Sequence, residues 1–454
     1  MMKSESRSIL KHAMTILWGQ WAVMSFGLID AAVAGRYDTD ALAALSIGTS
    51  IYITIYVTLM AVLQVTLPIF SEHLGAGRQS KLAQLVIQSC WIWLALSIAG
   101  TLALCFPDAL MRLTQVPEQP QALAKDYLLF MAMNLPLVLL FRLFASLCQS
   151  LGTPQLVTKI QILALILKVP LAMWFTFGGW GLTPMGLMGC ALSTLLIQSI
   201  MLAFAAWAFT HHEAFIQFDF FKQKWRIDWS GIREIIRLGI PNAITSAVEV
   251  SSFTMMALFI ARMGPSATAS HQIAASMAAF IFMIPMALSV AASARFSYWI
   301  GAKETGHARE VLHIAYAWII RLGLATASIF WLGSTLIAQL FSSQDMVTSK
   351  ASEMLVLVGF FHLGDALQVM GFFLLRSLRV TWTPMLVYTA TLWGVGLMGG
   401  YQLAYGSQQT ALSNDPSSFW YCSAIAMMIS GLALGGLLIR AIDQSALGET
   451  QRKT

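Results

Sequence analysis

The chain is built from apolar runs that are too long and too continuous for the strands or helices of a water-soluble domain. A transmembrane helix needs ~20 consecutive apolar residues and a barrel strand ~10 that alternate in character. The runs here do not alternate, so helices are the form that satisfies the backbone inside a bilayer. Twelve such runs are expected at 12–35, 42–68, 82–106, 122–147, 155–178, 184–210, 232–262, 266–294, 309–341, 347–375, 382–404 and 417–440. Only 11% of the 454 residues are charged, against about 25% in a soluble protein. The fold class that follows is an all-α integral membrane protein. The basic segment 1–11 and the run behind it read as a retained first helix rather than a signal peptide, because the run is too long for one.

The net charge of +6 is distributed as a membrane protein distributes it, which excludes nucleic acid as the partner it serves. With the N-terminus inside, twelve spans place Arg78, Lys81, Lys222, Lys224, Arg226, Arg237, Lys303 and Arg376 on the cytoplasmic side. The outer side receives Arg36, Arg112, Lys125, Arg262 and Lys350. That bias is the positive-inside rule. It predicts a multi-pass protein of the cytoplasmic (inner) membrane with both termini in the cytoplasm. The five cysteines lie in or beside apolar runs without a CxxC spacing, and read as small apolar filler.

The chain partly matches itself when shifted by 226 residues. Arg36, Ala41, Ala43, Ile47 and Ser50 meet Arg262, Ala267, Ala269, Ile273 and Ser276, and LGAGR meets IGAKE. At a shift of 227, Leu147, Ser150 and Leu151 meet Leu374, Ser377 and Leu378. Six spans are therefore followed by six more in the same orientation, a parallel repeat. The expected division is an N-terminal lobe at 1–210, a cytoplasmic linker at 211–231 and a C-terminal lobe at 232–454. Trp225 and Trp229 beside basic residues suit a linker that lies at the membrane interface.

Three acidic residues stand inside these runs: Asp30, Glu249 and Asp365. A charge at bilayer depth costs about 3 kcal/mol on insertion scales, and such residues face a bundle interior or a watery cavity. Glu249 and Asp365 belong to spans 7 and 10 at comparable depth, so they are expected to form one site. Two neighbouring carboxylates there hold a sodium ion between them, or share a proton, or serve as structural hydrogen-bonding groups between helices. Asp30 lies nearer the end of span 1 and has Lys168 as a candidate partner in span 5. That lysine reads equally as a paired structural residue or as a tethered cation. Asn134 and Gln272 are candidates to line a cavity, or to bond between helices. No GxxxxGK[ST] loop and no nucleophile–base set is present, so the chain reads as neither an ATP-driven pump nor an enzyme.

Taken with IRLGIPNAITSAVEVSSF, SHQIAASMAAFIFMIPMALSVAASARFSYWIGAKE, ALAALSIGTSIY, QSLGTPQ and HLGDALQVMGFFLLRSL, the chain resembles the MATE (multidrug and toxic compound extrusion) family, in its NorM-like branch. The resemblance implies two pseudo-symmetric six-helix lobes forming a V around a central cavity. It implies a functional monomer without a cofactor, set among membrane lipids, that exports cationic or amphipathic drugs against an inward flow of Na+ or H+. The family's ion-coupling acids carry onto Asp30, Glu249 and Asp365; Glu249 and Asp365 would hold the metal ion if the driver is Na+. Phe253 matches an aromatic near bound cations, where a cation–π contact is available. Phe361 stands where some relatives have a tyrosine. The family's NIPLN-like run in helix 5 is here Lys168-Val169-Pro170-Leu171-Ala172. The other reading within the same superfamily is a flippase or exporter of a lipid-linked or other metabolite. Three cavity acids argue against an anionic cargo of that kind.

Overall fold

The structure is a computed structural model that describes residues 2–107, 118–179, 181–216, 218, 220, 225–406 and 412–453. Arg112, Lys222 and Lys224, which entered the charge-bias expectation, lie outside these residues. The described chain is helical, in the order α1 (Met2–Tyr37), α2 (Thr39–Gln64, continued by Thr66–Gly75), α3 (Gln79–Cys105), α4 (Glu118–Ser150), α5 (Pro154–Phe177) and α6 (Leu187–His211). After a short helix, Glu213–Ile216, follow α7 (Trp229–Ala261), α8 (Pro265–Gly301), α9 (Thr305–Phe341) and α10 (Asp345–Ser377). The last two are α11, made of Trp382–Thr389, Ala390–Met398 and Gly399–Tyr405, and α12 (Ser417–Lys453).

Among the described residues, eleven helices are long and apolar enough to cross a bilayer uninterrupted. The twelfth expected span is α11, whose central segment Ala390–Met398 is π-helical. The wider π turn falls in a glycine-bearing stretch, ATLWGVGLM. Insertions of this kind disturb the regular hydrogen-bond ladder and often accompany functional sites.

The repeat seen in the sequence is written into the helix ends. After α2, Gly77 takes a left-handed φ of +67°, and after α8 its counterpart Lys303 takes +61°. The amides of Arg78 and Gly77 bond back to His73 and Leu74, as those of Glu304 and Lys303 bond back to Trp299 and Ile300. A second pair follows at the longer shift: Gly152 has φ +74° and Arg379 +63°. Thr153 there bonds to Cys148 and Val380 to Leu375. All four ends are the same six-to-one cap with a left-handed residue. Glycine adopts that conformation without Cβ strain, so the sequence identity decays at positions 303 and 379 while the turn persists.

The chain divides into two compact units, Thr15–Ala243 and Met1–Met14 with Ile244–Thr454. These differ from the expected lobes, 1–210 and 232–454, at the ends of two helices. The first turns of α1 belong with the second unit, where Glu5 pairs with Arg295 and accepts a bond from Trp299 Nε1. The first half of α7 belongs with the first unit, where Asn242 donates to the carbonyl of Ala61. Hydropathy locates a span but says nothing about which neighbour its end packs against. The linker residue Asp228 is tied to Lys81 at 3.3 Å, and Gln88 holds the backbone of Arg226 and Asp228.

Within lipid there is little hydrophobic drive between helices, so close packing and polar contacts hold a bundle together. The second unit shows both. In the most apolar 18-residue stretch of α10, 72% is enclosed, against 22% in α7 and α9, so α10 is the axis of this unit. Gly364 permits that enclosure: a Cβ there would stand 2.5 Å from the backbone nitrogen of Met428 in α12. Asp365, the next residue, is thereby held in the most protected part of the unit.

Candidate functional site

The first unit holds Asp30 on α1 and Lys168 on α5. Lys168 is wholly buried and Asp30 nearly so. Lys168 Nζ lies 2.6 Å from Asp30 Oδ1. The ammonium also donates to Ser193 Oγ at 2.8 Å, to Thr194 Oγ1 at 2.6 Å and to the Cys190 carbonyl at 3.3 Å, all on α6. Thr194 Oγ1 in turn donates to Asp30 Oδ2 at 3.1 Å. The lysine therefore satisfies its donors on two neighbouring helices, α1 and α6, as a buried charge must. Of the two roles the sequence left open, the geometry supplies the partner required by the first, and it also puts a fixed cation against Asp30, as the second requires.

A second polar file runs through the same unit. Asn134 on α4 is buried and donates to Tyr52 OH at 3.2 Å. Tyr52 stacks on Tyr56, with ring centroids 5.7 Å apart and planes 2° from parallel. Arg142 Nε donates to Tyr56 OH at 2.8 Å, and its guanidinium reaches Gln20 Oε1 at 3.3 Å. Tyr127 stands within electrostatic reach of both Asp30 and Tyr52. Asn134 thus has an interhelical bonding role in this file. Arg142, set in the run LVLLFRLF, is a charge inside an apolar run just as the three acids are.

The second unit holds both Glu249 and Asp365. The two carboxylates, on α7 and α10, are within electrostatic reach of each other. Tyr388, on the turn of α11 just before the π-helical segment, is within reach of both. No Lys or Arg pairs with either acid among the described residues. His362 Nδ1 lies 3.6 Å from Asp365 Oδ2, beyond a hydrogen bond, and its ring stacks on Phe330. Asp365 Oδ2 is buried and accepts no hydrogen bond among the described residues.

Aromatic rings cluster in the same unit, on the helices that carry the two acids and on α12. Phe253 and Phe361 meet edge to face with centroids 6.0 Å apart, and Trp420 closes on both, at 6.3 Å and 5.8 Å. Trp420 is fully buried and donates from Nε1 to His271 Nδ1 at 3.3 Å. Phe253 and Phe361 therefore belong to one aromatic cluster with Trp420, each one helical turn along the chain from an acid. Gln272 does not join it: it is exposed, and its amide lies 3.5 Å from Ser276 Oγ on its own helix. Two residues were missed by the sequence reading. Tyr388 sits in a short apolar run where periodicity does not reveal which face carries the hydroxyl. Trp393, in the π-helical segment, donates to the carbonyl of Val248, the residue before Glu249, at 3.2 Å. The irregular part of α11 is thus coupled to the backbone that carries the acid.

Comparison with known proteins bears on the whole chain. The MatE family model matches residues 16–174 and 241–402. The probable multidrug resistance protein NorM of Aromatoleum aromaticum is 32% identical over 430 residues, covering 95% of this chain and 93% of that protein. The multidrug resistance protein MdtK of Yersinia pseudotuberculosis is 26% identical over 433 residues, covering 95% and 94%. Among solved structures, the Vibrio cholerae MATE transporter VcmN in its bent form matches with a TM-score of 0.87 at 19% identity, covering 98% of this chain and 99% of that one. The eukaryotic MATE transporter AtDTX14 matches at 0.86 and 16% identity, covering 98% of each chain. These structural likenesses bear on the fold.

Proposed function

The chain belongs to the MATE family, in its NorM-like branch, and from that we propose that it is an antiporter that exports cationic or amphipathic drugs in exchange for an inward-moving Na+ or H+. It is a multi-pass membrane protein, and in this reading it works in the inner membrane as a monomer with both termini in the cytoplasm. It transports rather than catalyses. The observation that carries the reading is the pair Glu249 and Asp365. They lie within electrostatic reach of each other, unpaired with Lys or Arg among the described residues, and one buried oxygen of Asp365 accepts no bond.

Two such carboxylates cannot both be charged and dry without a cation between them or a proton on one of them. Either ligand relieves the repulsion, and a drug cation entering the aromatic wall of Phe253 and Phe361 relieves it too. Antiport follows if the coupling ion and the drug favour opposite members of a pair of conformations. The first unit is built differently. There Lys168 already supplies the positive charge beside Asp30, so in this proposal Glu249 and Asp365 carry the coupling ion.

The test is drug resistance in a host stripped of its own efflux pumps. Glu249→Gln and Asp365→Asn are each expected to abolish resistance with the protein still present in the membrane at the wild-type level. Full resistance in both variants would refute the assignment of ion coupling to this pair.

A further inference from the structure

A cleft of about 1230 Å³ lies where the start of α1 meets the start of α9, within one compact unit. Arg7, Lys11, Arg309 and Arg321 line it, with Glu310 as their acidic counterpart and Trp318 in its wall. Leu10, Met14 and Ile314 supply apolar surface. We propose that this cleft binds the headgroup of an anionic phospholipid of the phosphatidylglycerol class, drawn from the leaflet that faces the N-terminus.

Four observations lead there. The first is depth. In both helices a polar opening turns apolar at the cleft: MKSESRSILKH gives way to AMTILW in α1, and TGHAREVLH to IAYAWII in α9. Two such transitions side by side mark the headgroup level of a bilayer, and Trp318 suits that level. The second is charge. Four cations against one carboxylate favour a ligand with net negative charge over a zwitterion. Arg309 makes one long contact at 3.6 Å to the exposed Asp443, and Arg321 lies over the Trp318 ring at 5.4 Å. Both guanidinium groups are exposed.

The third is Glu310. Its Oε1 is buried and without a hydrogen-bond partner among the described residues. A bare phosphate would repel it, whereas the free hydroxyls of a glycerol headgroup donate to it. The phosphate would then lie among the basic side chains and an acyl chain along the apolar end. The fourth is rigidity. Glu5 pairs with Arg295 and accepts from Trp299, and Trp318 Nε1 donates to Ser6 Oγ at 3.0 Å. The Trp318 bond ties the two walls of the cleft together, and the Glu5 contacts anchor the α1 wall to α8.

The experiment is lipid titration of the full-length protein by native mass spectrometry, with phosphatidylglycerol, phosphatidylethanolamine and phosphatidylcholine of matched chains. Phosphatidylglycerol is expected to bind saturably and at least tenfold more tightly than either of the others. The Arg7→Gln/Arg321→Gln variant should lose about 25-fold, as about fivefold for each cation removed, with its melting temperature unchanged because both side chains are exposed. Arg321→Lys keeps the charge and should keep the binding. Equal binding of the three lipids, or undiminished phosphatidylglycerol binding in the double variant, would overturn the proposal. Displacement of the lipid by submillimolar glycerol phosphate would overturn it as well, since that marks a site for a soluble anion.

Discussion

Lys168 Nζ and Asp30 Oδ1 stand 2.6 Å apart, and neither side chain is more than 8% exposed. A buried pair of this kind contributes little over an apolar replacement, but removing one partner strands the other, at a cost of about 3–5 kcal/mol. Lys168→Met is therefore expected to lower the melting temperature of the purified protein sharply. Asp30→Asn combined with Lys168→Met should recover most of the loss. A single variant as stable as the wild type would show that Asp30 finds its counter-charge elsewhere.

Tyr388 lies within electrostatic reach of both Glu249 and Asp365. Tyr388→Phe keeps the packing and deletes the hydroxyl. Loss of the hydroxyl dipole near the two acids should weaken the apparent affinity for the driving ion. Thermal stability should stay as it is. The ion dependence of transport in vesicles reads this directly.

The paired left-handed caps make a stability prediction. Gly77 has open space around its α-carbon and a φ of +67°. Gly77→Ala should thus cost about 1 kcal/mol through backbone strain alone. Lys303 bears that strain already, at φ +61°, and Lys303→Gly should be neutral or slightly stabilising. Thermal unfolding of the two variants compares them; a destabilised Lys303→Gly would contradict the equivalence of the two turns.

Asp415 precedes α12 and accepts hydrogen bonds from Lys350 Nζ at 2.7 Å and the Ser417 amide at 2.9 Å. Burial opposes its ionisation, but these donors together outweigh burial and hold its carboxyl below the ordinary value. A depressed carboxyl adds stability above its unfolded pKa and loses it as pH falls through the folded value. The wild type should therefore lose melting temperature on acidification faster than Asp415→Asn does. Parallel pH profiles would contradict this.

Much of the fold could be read from the sequence because the bilayer imposes lengths that hydropathy records directly. The repeat was visible at Arg36 and Arg262, and the shared turn geometry at Gly77 and Lys303 shows that it reaches further than identity does. Glu249 and Asp365 were found because an acid in an apolar run has few explanations. Tyr388 and Trp393 were not, since a tyrosine or tryptophan in a span is ordinary and its facing depends on the π-helical turn, which has no sequence period. Gln272 was expected to line a cavity or to bond between helices; a shift of one residue on a helix turns a side chain by about 100°, and it is the neighbouring His271 that bonds to Trp420 while Gln272 is exposed.

The decisive measurement is dye efflux from sealed vesicles containing the purified protein, with Na+ and H+ gradients imposed one at a time. Export should follow one of the two gradients in the wild type and vanish in Glu249→Gln and Asp365→Asn. Export that ignores both gradients, or that survives in both variants, would contradict cation coupling through this pair.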